Sequence, residues 1–140
     1  MQNRIAVAMS GGVDSSTAAW LLQQEGHDLV GVMLKMFDGA LAGGVREDGR
    51  PPDGVEDARS VAGKLGIPFY VLDARAPFRS HVLDTFTSAY ERGLTPNPCV
   101  VCNRYVKFGF LLQQALESGR DKVATGHYAR LELDRGSGRW

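Results

Sequence analysis

Apolar residues along this 140-residue chain fall into short runs and helical repeats that alternate. Ile5 to Met9 is a continuous apolar run of the length of a buried strand. Ser16 to Glu25 carries Ala18, Ala19, Trp20, Leu21 and Leu22 and stops before Gly26, which predicts a helix with a glycine C-cap. Leu29 to Leu34 predicts a second buried strand. Val55 to Leu65 places Ala58, Val61, Ala62 and Leu65 at i, i+3, i+4 and i+7, a helix ended by Gly66. Pro68 to Leu72 predicts a short strand. Phe78 to Arg92, with Val82, Leu83, Phe86, Ala89 and Tyr90, predicts an amphipathic helix closed by Gly93. Phe108, Leu111, Leu112, Ala115 and Leu116 mark a further helix, starting near Tyr105 and closed by Gly119. Lys122 to Thr125 predicts a strand, Gly126-His127 a turn, and Tyr128 to Leu133 another strand. Arg135 to Gly138 predicts a hairpin turn, with Trp140 opening the return strand. Strands alternating with helices predict an α/β fold around a parallel sheet, with ligands beyond the carboxyl ends of its strands.

Two stretches break the pattern. Residues 37–54 hold five glycines and Pro51-Pro52, interleaved with Arg46, Glu47, Asp48 and Arg50. A loop of about 18 residues is long for a compact domain and predicts a mobile insertion, either a surface excursion or a lid over a ligand. Residues 95–103, Thr-Pro-Asn-Pro-Cys-Val-Val-Cys-Asn, predict a stiff, extended approach to the helix that follows.

Apolar content of 44% and charged content of 23% are those of an ordinary soluble domain, and the length suits one domain with a real core. Zero net charge does not by itself point to nucleic acid. The charge is uneven, however: acidic side chains dominate residues 1–91 and basic ones residues 92–140. A basic second part suits phosphates, and a mixed solvated surface explains the same excess. With no apolar run of membrane-spanning length and no signal peptide, the expected partner is not a membrane. Two cysteines make no secreted disulfide framework, so the expected compartment is the cytoplasm.

The densest chemistry lies between the first strand and the first helix, in Ser10-Gly11-Gly12-Val13-Asp14-Ser15-Ser16. Adjacent glycines let the backbone turn tightly and approach a ligand. Ser10 and Ser15 offer hydroxyls, and the helix start offers unpaired N–H groups and a positive dipole end. These are the parts of an anion site; the plain alternative is a Gly-rich strand-to-helix turn with a capped helix. Asp14 fits an anion site only if a metal ion or polar ligand group meets its carboxylate. The stretch is neither a Walker loop nor G-x-G-x-x-G.

Cys99-x-x-Cys102 admits four readings. A zinc site would need His81, His127 or carboxylates as further ligands. A thioredoxin-like redox pair and two buried structural cysteines are the second and third. The fourth, which the residues favour, is a reactive thiol before the helix starting near Tyr105, with Arg104 and Lys107 nearby to favour thiolate. His127 reads as a hydrogen-bonded structural residue, and His27 and His81 as surface residues.

S-G-G-V-D-S resembles the PP-loop of the ATP pyrophosphatase superfamily. Together with T-P-N-P-x-x-x-C-N-x-x-x-K-F and T-G-H-Y-A-R, in that order, it resembles the bacterial tRNA-specific 2-thiouridylases, from about Arg4 to Trp140. The resemblance implies a Rossmann-like, adenine nucleotide alpha hydrolase-like sheet with helices on both faces. It implies that Ala8, Met9, Ser10, Gly11, Gly12, Val13, Asp14 and Ser15 cradle ATP, with Leu34 at the adenine and Gly126 at the nucleotide. Asn97, Pro98 and Cys99 would meet the target base of tRNA. Cys102 matches the first catalytic cysteine, and Cys99 stands where many members have an acid/base Asp. The implied reaction adenylates O2 of the wobble uridine, releases pyrophosphate, and replaces AMP by sulfur at C2. Mg²⁺ would assist, with Asp14 a candidate contact.

A sulfur-donor protein, a cysteine desulfurase or sulfur relay protein, is the implied partner beside tRNA. An iron–sulfur cluster on both thiols is a competing reading, but such clusters normally take more cysteines than this chain holds. The family is longer, which implies a PP-loop domain over residues 1–133. Residues 134–140 would then open central and C-terminal domains, and with them a second cysteine that carries the persulfide. The alternatives are another PP-loop enzyme acting on a small metabolite, or a nucleotide-binding module without turnover.

Overall fold

The computed structural model describes residues 2–38 and 54–139. Four parallel strands form one sheet in the order β3-β2-β1-β4. β1 is Arg4–Ala8, β2 Asp28–Lys35, β3 Phe69–Asp73 and β4 Lys122–Ala124. α1 (Val13–Gln24) links β1 to β2, and α2 (Val55–Leu65) precedes β3. Between β3 and β4 the chain is mostly helical. α3 (Arg75–Phe78) continues through a π-helical stretch (Arg79–Leu83) into α4 (Asp84–Glu91). After residues 92–97, α5 (Pro98–Cys102) continues through a second π-helical stretch (Asn103–Phe110) into α6 (Leu111–Glu117). The predicted α/β, Rossmann-like parallel sheet with helices on both faces is therefore the fold found.

The apolar run of β1 is divided between two cores, because successive strand residues point to opposite faces. Ile5, Val7 and Met9 pack with Leu29, Met33 and the alanines Ala19, Ala58 and Ala62 of α1 and α2. Ala6 packs with Val30, Val32, Leu111 and Ala115 on the other face. Small residues on α1 and α2 let these helices lie close to the sheet. Leu111, Val7 and Val106 are the largest side chains fully buried, and each contributes on the order of 1.5–3 kcal/mol by leaving water. A third core, Ala74, Val82, Cys102 and Val106, forms where the two helical runs between β3 and β4 meet.

Several expected bounds change. α1 buries only Ser15 and Ala19 fully, and Trp20 and Leu21 are half exposed. Consecutive apolar residues span too much of a helix circumference for all of them to face one sheet. The helix expected from Tyr105 begins at Pro98, because Asn97 caps it and proline is favoured in a first turn. Helical geometry also reaches back to Arg75, before the expected Phe78. The strand expected at Tyr128–Leu133 does not form: those residues are exposed and join no strand among the described residues, where a bridge between Asp134 and Arg139 follows them. Most of the expected insertion, residues 39–53, and the return strand at Trp140 lie outside the described residues.

Candidate functional site

β1 leads by a crossover to β2 on one side, while β4 joins its other side later in the chain. The crevice beyond the carboxyl ends of β1 and β4 is thus the topological switch point, where open parallel sheets bind ligands. Two loops meet there, residues 9–12 after β1 and residues 125–128 after β4. Gly11 has φ +78°, and a Cβ on it would come within 2.8 Å of Asp57 Cβ and 2.9 Å of Gly54 O. Glycine is thus required both by conformation and by the close approach of α2. A Cβ on Gly126 would lie 2.7 Å from Ser15 N and 3.0 Å from Asp14 C, so here glycine is required by packing alone.

The loop is held by its own serines. Ser10 N donates to Ser15 Oγ at 3.2 Å, and the Ser10 and Ser15 hydroxyls lie 3.3 Å apart. Ser16 Oγ donates to Gly12 O at 2.7 Å. Gly12 gives α1 no side-chain cap, which leaves first-turn N–H groups free to receive an anion. Asp14 Oδ1 accepts a 2.8 Å hydrogen bond from Tyr128 Oη, which raises the Tyr128 phenol above its ordinary range.

A cavity of about 270 Å³ opens at this point. Ala8, Met9, Ser10, Asp14, Ser15, Leu34 and Gly126, all among the residues the resemblance assigns to ATP, line it. Gly11, Gly12 and Val13 instead border a shallow depression beside Ser16, Thr17 and Trp20. The cavity also takes in Val32, Met33, Met36, Lys107, Thr125 and His127, which sequence reasoning did not assign to the nucleotide. For Val32 and Met33 the signal was the apolar end of β2, and Met36 follows directly after that strand. His127 Nδ1 and Thr125 Oγ1 share a 2.8 Å hydrogen bond, and the imidazole leans on Phe108 with ring centres 5.5 Å apart. The hydrogen bond expected of His127 is present, and the residue stands at the cavity wall.

The two thiols differ. Cys99 is exposed, in the first turn of α5, and Cys102 is buried at the end of α5. Cys102 Sγ lies 3.8 Å from the Sδ of Met36, itself part of the cavity wall. Burial raises the Cys102 thiol above its ordinary range, Lys107 opposes that rise, and Cys99 adds to it. This corrects the expectation that a helix start near Tyr105 favours the Cys102 thiolate: the start is at Pro98, and burial wins. Asn97 Oδ1 accepts from Val100 N at 3.3 Å, so this expected base contact is also a helix cap. Asn97, Pro98 and Cys99 do not line the cavity.

Metal chemistry is limited by the donors. Among the described residues no three His, Cys, Asp or Glu side chains group as metal ligands. A magnesium ion needs no such group, since one carboxylate and substrate phosphates hold it, and Asp14 fits that role. Two cysteines do not fit a four-thiolate cluster.

The sequence profile of the tRNA methyl transferase HUP domain matches residues 3–139. A tRNA-specific 2-thiouridylase MnmA of Clostridioides difficile is 46% identical over all of this chain and 39% of its own length. Its counterpart in Heliobacterium modesticaldum is 48% identical over all of this chain and 36% of its own length. The chain therefore spans well under half of these relatives. A predicted subunit of tRNA methyltransferase from Methanocaldococcus jannaschii shares the fold, with TM-score 0.58, 19% identity, and 96% of this chain and 59% of that one covered. With its PP-loop at the switch point of a parallel sheet and the profile matched almost from end to end, this chain belongs to the tRNA methyl transferase HUP domain family.

Proposed function

We propose that this chain is the nucleotide-binding part of an ATP-dependent tRNA 2-thiolating enzyme. The observation that carries this reading is the convergence on one cavity of the Ser10–Ser15 loop, the Gly126 loop and the wall that backs onto Cys102. The relatives named above, which are similar over the whole chain, support it. ATP would place its phosphates at the start of α1 and its adenine against the apolar end of β2 at Leu34. The carbonyl oxygen at C2 of a tRNA uridine would attack the α-phosphorus. That bond forms as the bond to the β-phosphate bridge breaks, and pyrophosphate leaves. The outer sulfur of a persulfide on a second cysteine, loaded by the sulfur-donor protein, would then attack C2, AMP departing with the former carbonyl oxygen. The Cys102 thiolate would break the S–S bond, leaving 2-thiouridine and a disulfide between the two cysteines. Mg²⁺ would neutralise phosphate charge when bound, and Asp14 would hold it. Asn97, Pro98 and exposed Cys99 form the face offered to the base, and Cys102 is the nucleophilic position.

On this reading the partners are tRNA and a sulfur-donor protein, and the setting is the cytoplasm. Among the described residues no helix is long and apolar enough to cross a membrane. The test is the fate of α-labelled ATP in the full-length protein with tRNA. The expected products are AMP and pyrophosphate, formed only when tRNA is present. ADP and phosphate would reject the assignment, and tRNA-independent turnover with a small metabolite would move it to another PP-loop activity.

A further inference from the structure

Lys107 stands between the two halves of this chemistry. It is the only lysine or arginine among the described residues that line the 270 Å³ cavity, and among the described residues it makes no ion pair. It lies five residues after Cys102, in the π-helical stretch Asn103–Phe110. Hydrogen bonds in such a stretch run from i to i+5, which brings residues five apart roughly onto one face. A regular α-helix would turn residue 107 well away from residue 102. On the cavity side, Met36 separates the lumen from the Cys102 sulfur. The same ammonium therefore stands at a lumen bordered by the Ser10 and Ser15 loop, with the buried Cys102 thiol behind its Met36 wall.

We propose that Lys107 binds the polyphosphate of the nucleotide and, by sharing its charge with Cys102, couples occupancy of the cavity to the reactivity of that thiol. This rests on the nucleotide reading of the cavity. With the cavity free of phosphate, the ammonium supports the Cys102 thiolate. The interaction of Cys102 with Lys107 has that sign, and Cys99 acts in the opposite direction. Asp14 and His127 line the same cavity as Lys107. A bound triphosphate draws the positive charge to itself and leaves the buried thiol protonated. The nucleophile is thus held back while ATP is intact and released once pyrophosphate has left. The order of the two chemical steps follows from one shared cation.

The experiment uses this chain with ATP and adenosine as probes. Binding is measured by calorimetry, and alkylation of Cys102 by iodoacetamide is followed by peptide mass spectrometry. Lys107→Met should weaken ATP about tenfold or more and leave adenosine within about twofold, since only the phosphates meet the ammonium. Lys107→Arg should restore most of the ATP affinity. ATP should slow Cys102 alkylation in the unaltered chain, adenosine should not, and Lys107→Met should respond to neither. Equal weakening of both ligands, or unchanged ATP affinity, overturns the phosphate role. Slowing by adenosine as strong as by ATP, or a Cys102 that ATP leaves unaffected (including one that does not react in either state), overturns the coupling. Failure of the unaltered chain to bind ATP at all would instead remove the function on which the inference rests.

Discussion

Gly126 shows how one atom can matter at this site. A Cβ there would press on Ser15 N and the Asp14 backbone, groups that belong to secondary structure and cannot swing aside. Gly126→Ala should therefore cost about 1–3 kcal/mol of stability and weaken ATP binding. Gly63→Ala is the control: nothing lies within 4 Å of its Cβ, and it sits on an exposed face of α2. That change should stabilise the protein by about 0.5–1 kcal/mol. Thermal denaturation with ATP titration checks both. The cysteines should also separate. Exposed Cys99 should be alkylated about tenfold or more faster than Cys102 at pH 8. The Cys102 rate should go on rising with pH above the ordinary thiol range, because burial raises its pKa. The raised thiol also sets a sign for stability. Its contribution is complete below the unfolded-state pKa and is lost as pH rises through the folded-state value. The motifs made both cysteines visible in the sequence, but which was buried was not, since that depends on packing against Ala74 and Val82 from a distant helix.

Among the elements, α5 carries the clearest double duty. Asn97 caps it through Oδ1, so Asn97→Ala should cost about 0.5–2 kcal/mol, while Asn97→Asp keeps the cap and should cost little. If Asn97 also meets the base through its amide, Asn97→Asp should lower tRNA-dependent turnover with stability intact. Urea unfolding and product assays on the two variants separate the roles. The start of α5 was the main misjudgement from sequence. Two prolines within three residues read as extended chain, whereas Asn97 followed by proline is itself a helix-start signature. The long helices between β3 and β4 were legible from their periodicity, but their π-helical stretches were not, because a shift of one residue per turn hardly disturbs an apolar pattern. The exposed residues 128–133 look like a strand by composition and find no neighbouring strand among the described residues.

For the molecule as a whole, the alternation of strands and helices was enough to place the Ser10–Ser16 turn at a carboxyl edge. It did not reveal that β4 joins β1 on the side away from β2, and it is this that brings Gly126, His127 and Tyr128 to the loop. Sheet order is set by contacts across more than a hundred residues, such as Arg4 with Asp121. The Arg4 backbone N–H and guanidinium both donate to that carboxylate, each at 2.9 Å. A ligand that binds only the folded chain adds stability by mass action, about 2.7 kcal/mol at a hundred times its dissociation constant. ATP should therefore raise the melting temperature, and the rise should continue with the logarithm of its concentration above the dissociation constant. The central claim, that the loop after β1 is a nucleotide site, is tested most directly by calorimetric titration of ATP into the unaltered chain and into a Ser10→Ala, Asp14→Asn double variant. The unaltered chain should bind with one site, and the variant should bind at least about tenfold more weakly, with the Mg²⁺ dependence reduced. Equal ATP affinity in the two proteins would contradict it.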